Sequence, residues 1–234
     1  LLLRFSLKCN IKIRIILLIM STVRGALVVL EGCDRAGKST QAKLLVHALK
    51  QRDIPVEQRA FPDRTTATGE IINNYLSKKL NFSLETAHML FSANRWECKD
   101  EILRSLYSGT TVVIDRYAGS GAAYTAATTG RCLDWCKAPD KGLPSPDVVI
   151  FLNVSKETQC SRSNWGDERY ENNEIQSHVA SNYRKIMDQT WYIINADDDK
   201  SKIHSQILQK ILDVIDQVKD LPVSKLYESI GSEN

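Results

Sequence analysis

The 234-residue chain is poor in histidine, has no paired cysteine motif and carries no acid before Glu31. Its six cysteines, Cys9, Cys33, Cys98, Cys132, Cys136 and Cys160, contain no C-x-x-C pair, and none of the four histidines stands at zinc-finger spacing from them. A zinc module is therefore excluded, and free thiols of a reducing compartment are expected. There is no N-K-x-D, so the guanine-reading element of switch GTPases is missing; H-R-D and D-F-G are missing too, which excludes a protein kinase. The apolar run Ile15–Met20 is too short to span a bilayer. Net charge is only +3, which is no nucleic-acid signature. With 43% hydrophobic and 25% charged residues, what remains is a globular chain long enough for one domain with a full core.

The first nineteen residues differ from the rest. They hold Arg4, Lys8, Lys12 and Arg14, so the remainder carries a net charge of −1, which is +3 less four. Position 1 is Leu, whereas Met20 precedes a short polar lead and the first core strand. Translated upstream sequence is the favoured reading of residues 1–19. A basic targeting peptide and a disordered tail are the other two. Residues 20–234 are expected to form one domain. A cytoplasmic place, with a nuclear share, is expected; a mitochondrial one would require residues 1–19 to be a real targeting segment.

From Met20 on, short apolar runs alternate with helical spacing. Strands are expected at Ala26–Leu30, Val56–Phe61, Thr111–Ile114, Asp147–Leu152 and Trp191–Asn195. Helices are expected at Lys38–Lys50, over one long stretch from Ser83 to Ser108, and from a Ser201 cap to about Val218. Strands written as continuous apolar runs and alternating with helices predict an α/β, doubly wound, five-stranded parallel sheet. The Gly-, Ser- and Thr-rich Ala118–Gly130 and the polar stretch 161–172 are expected to be mobile loops at the mouth of the sheet.

The clearest chemistry lies in G32-C-D-R-A-G-K-S-T40. The pattern G-x-x-x-x-G-K-S follows a strand and opens a helix, the setting in which it forms a phosphate-binding loop. Backbone N–H groups of Gly32, Cys33, Asp34, Arg35, Ala36, Gly37 and Thr40 and the helix N-terminus suit a nucleoside triphosphate. Lys38 is placed for the β and γ phosphates, and Ser39 for Mg²⁺. Asp115 ends a buried strand and is placed for the same metal, while Arg116 points into the same crevice. With Arg35, two guanidinium groups and one lysine surround the phosphates, an arrangement suited to phosphoryl transfer. No obvious general base accompanies them. A hydroxyl acceptor would need one, whereas a monophosphate, with a second pKa of about 6, would not.

GCDRAGKST, FPDRT, LFSANRWE, DRYAGSGAAYT, LDWCKAPDKGLPSPDVVIFL and GDERYEN, in this order, resemble the eukaryotic form of the thymidylate (dTMP) kinase family. The resemblance runs from about Arg24 to the C-terminus and is looser over the last forty residues. It implies transfer of the γ-phosphoryl of ATP to dTMP with Mg²⁺, in a homodimer with no nucleic-acid or membrane partner. It also implies roles. Arg35 would stabilise the moving phosphoryl group, and Asp34 would hold the acceptor's 3′-hydroxyl. Arg64 would bind the dTMP phosphate. Phe91 would stack on thymine, and Arg95 would hydrogen-bond the base edge. Tyr124 would crowd the 2′ position. Phe61, Arg116, Ser120, Gly121 and Tyr170 complete the acceptor contacts, and Arg162 would lie near the ATP base, in a lid over about 161–172.

Two departures stand out: Gly119 replaces an aromatic residue common in the family after DRYA, and the lid sequence SNWGD differs locally. Two rival readings remain at this level. One is a related kinase with a shifted deoxynucleoside monophosphate acceptor. The other is a non-catalytic nucleotide-binding scaffold.

Overall fold

The computed structural model describes residues 23–162 and 169–228; the segment 1–19, and the middle of the stretch expected to be a lid, lie outside the described residues. Five strands form one parallel sheet: β1 (Leu27–Glu31), β2 (Val56–Ala60), β3 (Thr111–Asp115), β4 (Val148–Asn153) and β5 (Trp191–Asn195). Their order is β2-β3-β1-β4-β5. The expected strands are thus present to within a residue at each end. β1, β3 and most of β4 are buried, as continuous apolar runs require, while the edge strands β2 and β5 are half exposed.

Side chains of the central strands alternate between two cores, the period-2 rule of a pleated strand. Val28, Leu30, Val113, Ile150 and Leu152 face a core built with α1 (Lys38–Lys50) and α9 (Lys200–Val218). Leu27, Val29, Val112, Ile114 and Val149 face the other side, against Ile102 and Leu106 of α4 (Lys99–Tyr107). Each fully buried side chain of this kind stabilises the fold by roughly 1.5–3 kcal/mol. The remaining helices are α2 (Ala67–Leu76), α3 (Leu84–Glu97), α5 (Ala118–Thr129), α6 (Leu133–Lys137), α7 (Lys156–Ser161) and α8 (Asn173–Ile186), with a 3₁₀ turn at Ala138–Asp140.

Three expectations are corrected. The stretch from Ser83 to Ser108 is two helices, α3 and α4, parted at Cys98. Both halves are good helix formers, but they pack on different partners. Trp96 donates from Nε1 to Pro139 O at 2.8 Å, whereas Ile102 and Leu106 turn onto the sheet. Ala118–Gly130 is helix α5 and not a loop. Its small residues let it approach closely: Ala122 and Ala123 pack with Val179 and Tyr183 of α8. Gly130, at φ 69°, ends the helix in the left-handed conformation. The last helix is capped by Asp199, whose side chain accepts from Ser201 N at 2.8 Å, so Ser201 already lies inside it. Of the cysteines, Cys33, Cys98, Cys132, Cys136 and Cys160 are free thiols, as expected. Among the described residues no helix is long and apolar enough to cross a membrane.

Because β2 and β3 lie on one side of β1 and β4 and β5 on the other, the chain reverses direction across the sheet at β1. That switch point opens a crevice at the carboxyl ends of the strands. Gly32 follows β1, Phe61 follows β2 and Arg116 follows β3 at this edge.

Candidate active site

Two hollows lie side by side at this edge and share Ser39, Asp115 and Arg116. The phosphate-binding loop forms the floor between them. Gly37, at φ 95°, passes the chain into α1. Lys38 folds back under the loop and donates from Nζ to Gly32 O at 3.1 Å and Cys33 O at 2.7 Å. Burial, and secondarily the Arg116 guanidinium, push its ammonium down to about 8, against the pull of Asp115, Asp34 and Glu31. Arg35 (φ 62°) and Arg116 (φ 68°) both hold left-handed backbone conformations. Such positions cost about 1–3 kcal/mol each and persist where their surroundings enforce them. At Arg116 the enforcement is visible: its N–H donates to Leu30 O at 3.0 Å.

The first hollow is lined by Arg35, Ala36, Gly37, Lys38, Ser39 and Thr40 of the loop. Arg162, Glu171, Asp198 and Lys200 close it opposite. Arg162 reaches Arg35 O from Nη1 and Ala196 O from Nη2, the latter at 3.2 Å, so it bridges the loop to the end of β5. The side chains of Cys33 and Asp34 do not face this hollow. Cys33 is buried with α5 and α8, and desolvation raises its thiol. Asp34 lines the neighbouring hollow.

That second hollow brings together residues distant in sequence. Phe61 and Arg64 come from the segment after β2, Phe91 and Arg95 from α3, Ser120, Gly121 and Tyr124 from α5, and Tyr170 from beyond α7. Phe91 is half-buried, and Tyr124 and Tyr170 meet edge to face with ring centres 5.9 Å apart. Arg116 lies 5.3 Å from the Tyr124 ring centre and donates to Gly32 O at 3.2 Å and Ser120 Oγ at 3.3 Å. Its Nη2 pairs with Asp34 Oδ1. Arg64 is exposed and donates to Asn73 Oδ1 at 2.8 Å.

Several supporting residues escaped the sequence reading. Gln176 on α8 donates to Asp34 Oδ2 at 2.6 Å and accepts from Asp34 N at 2.9 Å, fixing that carboxylate. Gln159 donates to Asp34 O at 2.8 Å. Glu31, buried at the end of β1, accepts from Tyr117 N, Ser120 N, Ser120 Oγ and Tyr183 OH at 2.6–2.9 Å, tying α5 to the sheet. An acid closing an apolar strand just before a phosphate-binding loop was the available signal for Glu31. For the glutamines, on otherwise ordinary polar helix faces, there was none. Gly119 also finds its reason here. A Cβ there would stand 2.9 Å from Glu31 Oε1 and 3.1 Å from Trp191 Cη2.

At the seam between the hollows, Ser39 Oγ hydrogen-bonds Asp115 Oδ2. The other oxygen, Asp115 Oδ1, is buried and has no hydrogen-bond partner among the described residues. A hydroxyl and an orphaned carboxylate oxygen beside a phosphate-binding loop are hard oxygen donors, and they fit a hydrated Mg²⁺.

A family model described as thymidylate kinase matches residues 30–207. A thymidylate kinase of Danio rerio is 43% identical over 211 residues, covering 89% of this chain and 100% of that protein. The thymidylate kinase of Homo sapiens is 41% identical over 212 residues, with the same coverage. A solved thymidylate kinase from Candida albicans superposes with a TM-score of 0.74 at 35% identity, covering 87% of this chain and 97% of the other. The fold, the paired hollows and these likenesses agree: the chain belongs to the thymidylate kinase family.

Proposed function

We propose that the chain carries out the family's reaction with the residues of the two hollows: the γ-phosphoryl of ATP passes to dTMP, giving ADP and dTDP. The observation that carries the assignment of sides is the seam. The hollow at the loop, taken as the donor side, and the hollow lined by Phe91 and Tyr124, taken as the acceptor side, share only Ser39, Asp115 and Arg116, so a triphosphate and a monophosphate entering from either side would meet there.

A phosphate oxygen of dTMP attacks the γ-phosphorus while the bond to the ADP oxygen breaks. The acceptor oxygen is already unprotonated near neutral pH, so no base has to take a proton. Lys38, Arg35 and Arg116 supply positive charge around the moving group, and positioning with charge stabilisation is most of what this chemistry needs. Asp34, braced by Gln176, is the acceptor for the sugar hydroxyl, and Arg64 stands at the hollow's exposed rim for the dTMP phosphate. Phe91 offers a ring face to the base. Arg162 and Glu171 close the donor side and help to exclude water. Ser39 and Asp115 would hold Mg²⁺, which when bound neutralises charge on the β and γ phosphates. Residues 20–234 act as one kinase domain. A homodimer is the expected assembly; Ile71 on α2 and Met89 on α3 are exposed apolar side chains that a second copy would cover.

The test is ADP release with ATP and Mg²⁺ against dTMP, dUMP, dGMP, dCMP, UMP and AMP. Fast turnover on dTMP, slower on dUMP and little on the others is expected. No turnover by folded, ATP-binding protein would move the reading to a scaffold.

A further inference from the structure

Arg95 lines the acceptor-side hollow, yet its guanidinium is already engaged from behind. Nε donates to Asp140 Oδ1 at 3.0 Å and Nη2 to Asp140 Oδ2 at 2.7 Å. Both residues are buried, Asp140 completely and Arg95 to 2% exposure. Asp140 does not line the hollow itself. Ser92, one turn before Arg95 on α3, donates to the same Oδ1 at 2.7 Å. The short turn carrying Asp140 is pinned in its own right: Pro139 O accepts from Trp96 Nε1 and Ser92 Oγ, and Gly142 N donates to Leu226 O at 3.0 Å. On the opposite side Gly121 leaves room. A Cβ there would stand 2.6 Å from Arg95 Nη2 and 3.3 Å from Nη1.

We propose that Asp140 is the positioning residue of acceptor selection: it fixes Arg95 in one pose, so that the base meets donors at one place and from a wall whose charge is already compensated. This rests on the dTMP reading of the hollow. The fork geometry of a guanidinium explains the effect. With Nε and one hydrogen of Nη2 taken, Nη1 and the remaining Nη2 hydrogen are what a ligand can meet. Such a wall takes a base that presents a carbonyl oxygen and rejects one that presents an amino group, because two donors would then face each other unpaired. A guanidinium free to swing would lose that discrimination.

The experiment compares wild type, Asp140→Asn, Arg95→Met and the double variant on dTMP and dCMP. Wild-type turnover of dTMP comes first, since its absence removes the functional reading and not only this one. Given that turnover, Asp140→Asn should raise KM for dTMP by about tenfold or more, the cost of a buried charged bond broken from one side. It should leave kcat within about threefold and KM for ATP unchanged, and it should narrow the dTMP-to-dCMP ratio of kcat/KM. In the Arg95→Met background the same change should have no further effect on KM for dTMP. An unchanged KM in the single variant, or an equal rise in both backgrounds, overturns the proposal. Should Asp140→Asn fail to fold, Ser92→Ala serves, removing one bond to Asp140 and leaving the charge pair whole. A rise of about two- to fivefold in KM for dTMP at constant kcat supports the proposal, and an unchanged KM overturns it.

Discussion

Arg35 donates from Nε to Glu171 Oε1 at 2.9 Å, and its Nη2 forms an ion pair with the same oxygen at 2.9 Å. Both residues line the donor-side hollow, so the loop arginine is held there by a carboxylate of the stretch 161–172. Arg35→Ala should lower kcat by about 10³ or more, the range for an arginine that stabilises a transferring phosphoryl group. KM for dTMP should move less than about threefold, because the acceptor contacts are elsewhere. Initial rates at saturating ATP, with equal turnover in variant and wild type, would reject the role.

Phe91 gives the opposite signature. It is half-buried on the wall of the acceptor-side hollow and packs against the cluster of Ile72, Tyr75, Leu76 and Ala87. Removing a ring on which a base stacks costs about 1–3 kcal/mol. Phe91→Ala should therefore raise KM for dTMP roughly 5- to 150-fold with kcat little changed. An unchanged KM would remove stacking from the account.

Lys38 makes the donor side sensitive to alkali. Its ammonium titrates at about 8 in the ligand-free protein, well below the ordinary lysine value, because burial and Arg116 disfavour the charge. A triphosphate favours the charged form, so above pH 8 binding must take up a proton. kcat/KM for ATP should fall as pH rises through about 8, by up to tenfold per unit, because it reports the free protein. kcat should hold to higher pH, because bound phosphates restore the charge. The effect on stability has the other sign. A lysine depressed in the folded state weakens the fold fully below pH 8, and that penalty fades as pH rises from 8 towards the unfolded value. Parallel pH profiles of kcat/KM and kcat would contradict this.

What could be read in the sequence were the parts whose chemistry is local. The five strands are legible because a buried parallel strand must be an apolar run, and the loop because phosphate binding needs glycines and a lysine at set spacing. Helix α5 was misread because its Gly, Ser and Thr resemble a loop, although Ala118, Ala122 and Ala123 are there to let two helices approach closely. The break at Cys98 leaves no local mark, since it is set by the different partners of Trp96 and Ile102. In the site, many of the residues that line the two hollows were visible, while Glu31, Asp140 and Gln176 were not. Their work is to hold Ser120, Arg95 and Asp34, and those pairings exist only once the chain has folded.

The orphaned oxygen of Asp115 yields the last prediction. Oδ2 is occupied by Ser39, but Oδ1 is buried without a partner among the described residues. Leaving a buried charged acceptor unmet costs about 1–3 kcal/mol or more, which a fold tolerates where a ligand later satisfies it. Asp115→Asn keeps the shape, removes the charge and puts an amide where a cation would sit. Excess EDTA should abolish turnover in the wild type. In Asp115→Asn the Mg²⁺ concentration for half-maximal rate should rise at least about tenfold, reflecting the loss of one carboxylate from the cation's surroundings. Because the substitution replaces an oxygen left unmet among the described residues but gives up the carboxylate's attraction to Lys38 and Arg116, Tm without ligand should change little. A lower Tm with an unchanged Mg²⁺ requirement would mean that Asp115 serves the fold through Ser39 and not the metal.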